Sequence, residues 1–99
     1  MKRSGIQKPR KLVSVFSSRL DSETLNVRIY RDRETFVCER EIVERDGTSF
    51  TMVLPFAEPE AARKLFASDP YFSQVEGQVG RVLVRLARIL RDRHGTQRS

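Results

Sequence analysis

At Pro55 the hydrophobic pattern of this chain changes period, from two residues to about three and a half. Before it, Leu25, Val27 and Ile29 alternate with Asn26, Arg28 and Tyr30, and Phe50, Met52, Leu54 and Phe56 alternate with Ser49, Thr51 and Val53. After it, Val75, Val79, Val82, Leu83, Leu86, Ile89 and Leu90 fall within an arc of about 120° on a helix, a stripe wide enough to face a core. Strands that all precede the helices cannot form parallel crossover units. The order implies an α+β domain: a four-stranded antiparallel meander, then a short helix and a long C-terminal amphipathic helix packed on one sheet face.

Length and composition fit one such domain. The chain has 99 residues, of which 28 are Leu, Ile, Val or Phe, enough for a folded core. Residues 1–10 are basic and hold Gly5 and Pro9, which predicts a flexible arm; residues 11–93 make the domain, and 94–99 a disordered tail. The first strand is expected over Lys11–Ser17, with turn chemistry in Ser17, Ser18, Asp21 and Ser22. Arg31–Glu34 closes the next hairpin. The third strand, Thr35–Arg45, conflicts with a single register, because Arg40 shares the parity of Phe36, Cys38 and Ile42, so a bulge is expected near Glu39–Glu41. Asp46-Gly47 predicts a tight type I′ turn into the fourth strand, Thr48–Phe56.

The helical half carries its own punctuation. Glu58-Pro59-Glu60 is a helix start with Pro at the first helical position, and Asp69-Pro70 ends that short helix. Ser73 and Glu76 have the spacing of a capping box, which predicts a long helix from there to about Arg93, stopped at Gly95.

Charge is distributed unevenly. The net charge is +6, yet residues 12–80 hold eight bases and twelve acids, whereas residues 1–11 carry five bases and no acid, and residues 81–99 carry six Arg against Asp92. Attraction for a polyanion is therefore located at the two ends. Lys2, Arg3, Lys8, Arg10 and Lys11 supply one end; Arg81, Arg85 and Arg88, four and three residues apart, form a stripe opposite the apolar face of the long helix. Arg28 and Tyr30, on the outward parity of the second strand, add a cation beside a ring on which a base could stack. These ten residues are the candidate nucleic-acid or polyanion site.

Other chemistry finds little support. His94 is the single His and falls at the end of the long helix, where it can meet terminal carbonyls, without the oriented partner a general base needs. Cys38 has no second Cys to pair with and no neighbouring His, which points to a buried thiol in a reducing, cytoplasmic setting. No phosphate loop and no metal-ligand spacing is present, so neither a cofactor nor a metal is expected, nor a small-molecule substrate or an enzymatic activity. The longest run without charge, Gly47–Ala57, is eleven residues, about half of a spanning helix, which argues against a membrane.

One further flank stands out. Gly77, Gly80, Val84 and Ala87 follow each other at three, four and three residues along the long helix, a smooth strip suited to close approach by another helix, including that of a second copy. The expectation is thus a small binding protein for nucleic acid, DNA or RNA without sequence preference. The alternative is a protein-interaction module that meets an acidic partner or pairs with itself through the long helix. In element order alone, four strands then a helix, the chain resembles small single-strand-binding folds of the transcriptional-coactivator and purine-rich-element type, a likeness that transfers no site residue.

Overall fold

A computed structural model describes residues 10–98. Most of the expected basic arm, including Lys2, Arg3 and Lys8, lies outside the described residues. Four strands pair antiparallel in sequence order: β1 (Lys11–Leu20), β2 (Glu23–Asp32), β3 (Thr35–Val43) and β4 (Ser49–Phe56). They are followed by α1 (Pro59–Ala67), a 3₁₀ turn (Phe72–Val75) and α2 (Glu76–Arg98). The α+β meander is as expected.

The alternation in β2 sets the layers. Leu25, Val27 and Ile29 are buried with Phe36, Cys38, Ile42 and Phe56 on the face that Ala62, Phe66, Phe72, Val75, Val82 and Leu86 cover. Val79, Leu83 and Leu90 flank them, so the helical stripe does pack on the sheet. A column of rings joins the layers: Phe36 stacks on Phe56 at 5.3 Å, Phe56 meets Phe66 edge-on at 6.4 Å, and Phe66 meets Phe72 at 4.4 Å. Such contacts add about 0.5–1.5 kcal/mol each beyond area burial.

β1 runs three residues further than Ser17, because Ser17 and Ser18 pair with Asn26 and Leu25 rather than turning. The two-residue loops Asp21-Ser22 and Arg33-Glu34 then close the first two hairpins, with Asp21 (φ 42°) and Arg33 (φ 63°) in the left-handed region. Asp46-Gly47 lies in the third hairpin, but in a three-residue loop rather than a type I′ turn. Only Gly47 has positive φ (96°), its N–H bonds to the Glu44 carbonyl, and Glu44 N–H bonds to Thr48. A loop with one left-handed residue needs Gly only there. The Thr48 N–H on its carboxylate holds Asp46 below the usual carboxylate range.

Three further local expectations are corrected. β3 keeps an unbroken register with both neighbours through Glu39–Glu41, so there is no bulge there. Arg40 simply points inward with Phe36, Cys38 and Ile42, tolerated because Asp69 receives its guanidinium and the Tyr71 ring lies 4.9 Å below it. The register shift sits in β1 instead, between Leu12 and Ser14. The capping box at Ser73 does not form: Ser73 Oγ donates to the Pro70 carbonyl, and Asp69 Oδ1 accepts the N–H groups of Tyr71 and Phe72 at 2.8 and 3.2 Å. A carboxylate already fixed by Arg40 thus caps the 3₁₀ turn. Finally, α2 continues across Gly95 to Arg98, so the expected tail is helical over residues 94–98.

Pro59 starts α1 as expected, with Glu58 as its N-cap residue. The helices stop short of one corner of the sheet. Phe50 and Met52, on the covered parity of β4, remain 58% and 46% exposed, whereas Phe56 is buried.

Candidate functional site

The antiparallel course of α2 along β1 builds the site. Gln78 Nε2 reaches the Ser17 carbonyl at 3.5 Å, and Arg81 and Arg85 line a groove with Ser14, Val15, Phe16 and Val82. As α2 ascends from Gln78, β1 therefore descends towards Lys11. Arg88 continues the helix stripe beside Arg81 and Arg85 around a second depression that includes Gly77, Gly80, Val84 and Ile89. The arginines span seven residues, about 10 Å along the helix axis. The topology thus brings the C-terminal arginine stripe alongside the strand whose N-terminal end carries Arg10 and Lys11.

The electrostatic states of these bases differ. Arg81, Arg85 and Arg88 are exposed and take part in none of the ion pairs among the described residues. Arg10 is 3.7 Å from Asp32, an exposed pair of small energetic weight. A free guanidinium offers a forked set of donors to phosphate or carboxylate without first breaking an internal contact.

Arg28 and Tyr30 lie elsewhere. The register places them with Val37, Glu39 and Glu41 on the open sheet face, away from the helices. Arg28 Nε donates to Glu39 at 3.1 Å and Nη1 to Glu41 at 3.3 Å, and hydrogen bonding to Glu39 leads the interactions that raise its pKa. Asn26 also donates to Glu41, and Ser17 to Asn26, so a polar ladder crosses three strands. Two carboxylates around one guanidinium leave this patch negative. Sequence spacing shows which residues share a strand face but not which carboxylates stand across from them.

The strip Gly77, Gly80, Val84 and Ala87 is exposed, and a Cβ built on either glycine meets nothing within 4 Å. No close approach among the described residues needs those glycines. Burial pushes the Cys38 thiol up to about 12, despite Arg40 nearby. Among the described residues no three His, Cys, Asp or Glu side chains come together as metal ligands, and no helix is long and apolar enough to cross a membrane. Gln78 and the groove residues Ser14–Phe16 carried no sequence signal, because their role comes from the packing of α2 on β1.

Comparison with protein-family models, with curated proteins and with solved structures gives no match.

Proposed function

We propose that this protein is a non-enzymatic, cytoplasmic binder of polyanions, nucleic acid foremost, that contacts the phosphate backbone along the edge formed by β1 and α2. The observation that carries this reading is the row Arg81, Arg85 and Arg88: three exposed guanidinium groups without ion pairs among the described residues, beside a groove along an edge strand. Arg10 and Lys11 extend the row, and Lys2, Arg3 and Lys8 extend it further in sequence. Arg28 is spent on Glu39 and Glu41, so the open sheet face contributes little. Contacts of this kind hold the backbone without reading bases.

The test is titration of labelled single- and double-stranded oligonucleotides with the full chain at about 50 and 200 mM salt. Binding should weaken steeply with salt. Replacing Arg81, Arg85 and Arg88 together by Ala should lower the slope of log K against log salt by about 2–3, since each neutralised phosphate contributes about 0.7–0.9. Failure to bind at the lower salt sinks the reading.

A second reading is supported by the glycine strip. Gly77 and Gly80 cost the helix about 1 kcal/mol each relative to Ala and relieve no crowding among the described residues, which fits a partner helix laid against Val84 and Ala87. The neighbouring arginines suit an acidic partner there better than a second copy.

A further inference from the structure

β4 is a free sheet edge of an unusual kind for a chain so charged. Among the described residues it pairs with β3 alone, its register is regular, and it lies within the longest uncharged run of the sequence. Phe50, Met52 and Val53 are 58%, 46% and 53% exposed, with Phe50 and Met52 on one side of the sheet and Val53 on the other. Natural edge strands are blunted by charge, bulges or a covering element. β4 has only Pro55.

The backbone phase of β4 follows from its hairpin. Glu44 N–H bonds to the Thr48 carbonyl at 2.7 Å, so Thr48 turns its polar groups towards β3. The two-residue period places Phe50, Met52, Leu54 and Phe56 with it and leaves the N–H and C=O groups of Ser49, Thr51 and Val53 on the free edge. Pro55, which lacks an N–H, falls on that edge too, where the missing donor costs no bond to β3.

We infer that β4 pairs antiparallel with β4 of a second copy of this chain, joining two four-stranded sheets into one. A two-fold axis at Thr51 lets Thr51 exchange two hydrogen bonds with its mate, and Ser49 with Val53 on either side. It also sets Phe50 of each copy opposite Met52 of the other, on the side where both are uncovered. Cross-strand partners in this arrangement bury each other. Charge selects the occupant and the place. A copy carrying +6 is repelled from the arginine row on α2, and the uncharged β4 is where two such chains meet without that repulsion. The strand is also self-complementary, as a two-fold contact requires. This inference is independent of polyanion binding.

The test is light scattering and sedimentation of the full chain over a concentration series up to about 1 mM at about 0.15 M salt. A dimer that grows with concentration is expected. Thr51→Pro removes only free-edge N–H groups and Thr51→Lys sets like charges across the axis; each should weaken dimerisation at least about tenfold while the circular dichroism spectrum stays the same. Val84→Lys, on the glycine strip, should leave the dimer intact. A chain that stays monomeric throughout overturns the inference. So does a dimer that both Thr51 variants leave within about twofold, or one that Val84→Lys dissolves.

Discussion

The two edges of this sheet are handled in opposite ways. β1 keeps Leu12 and Val15 49% and 59% exposed, but its ladder shifts at Leu12/Ser14, Gln78 bonds to the Ser17 carbonyl, and α2 lays Arg81 and Arg85 beside it. β4 is regular, uncharged and half-bare. Both are edge strands of similar length, eight and ten residues, so strand propensity does not separate them. What separates them is the element packed alongside. A long helix running back along β1 turns that edge into a charged groove, whereas the shorter α1 covers only the Phe56 end of β4.

Each side also has a polar tie between the helix layer and the sheet, and the ties are unequal. On the β4 side Arg40 and Asp69 are 11% and 10% exposed. On the β1 side Gln78 makes one long, exposed hydrogen bond. Asp69→Ala should therefore cost about 3–5 kcal/mol in urea unfolding, since it strands a largely buried guanidinium and uncaps the 3₁₀ turn. Adding Arg40→Met should restore much of that loss. Gln78→Ala should cost less than about 1 kcal/mol. Equal losses at the two positions would break the contrast.

Alkaline pH probes the strand next to β4. The Cys38 thiol is raised in the folded chain from the ordinary 9.0 to about 12, so the folded state keeps its proton where the unfolded chain releases it. Its stabilising contribution is complete below pH 9.0 and is lost as pH rises towards about 12, at about 1.4 kcal/mol per pH unit. Cys38→Ala should remove that part of the slope, measured as the difference between the two chains' unfolding free energies at pH 9.5 and 11.

The smallest effect discriminates most sharply between surfaces. Gly77→Ala and Gly80→Ala add a Cβ into open space and should stabilise the chain by about 0.5–1 kcal/mol each. Thermal melts give the first number, and light scattering on the same samples should show the β4 dimer unchanged. Loss of association would move the interface to α2.

Much of this was legible in sequence. β2 declared its layers by strict alternation, Pro59 marked a helix start, and the stripe from Val75 to Leu90 marked the face that meets the sheet. The error over β3 comes from a contact across a long sequence distance, whereas those at the Asp46-Gly47 loop and at Ser73 come from local hydrogen bonds. Arg40 reads as a break in register until Asp69, 29 residues away, supplies its counter-charge. Ser73 reads as a cap until its hydroxyl is seen to donate to the Pro70 carbonyl instead. For the site, the arginine row was visible from its spacing, whereas its position along β1 depends on how α2 packs. The confinement of Arg28 depends on which carboxylates β3 sets beside it.

The chain has two Tyr and no Trp, and the rings stand in different layers. Tyr30 lies on the open face, between Leu12 and Val37 in register, and Tyr71 lies beneath Arg40. In optical terms the molecule carries one native emitter for each side of the sheet, with no indole to mask either. With Tyr30→Phe, the remaining fluorescence reports the environment of Tyr71 alone, so detachment of the helix layer can be followed separately from events on the strands without an added dye.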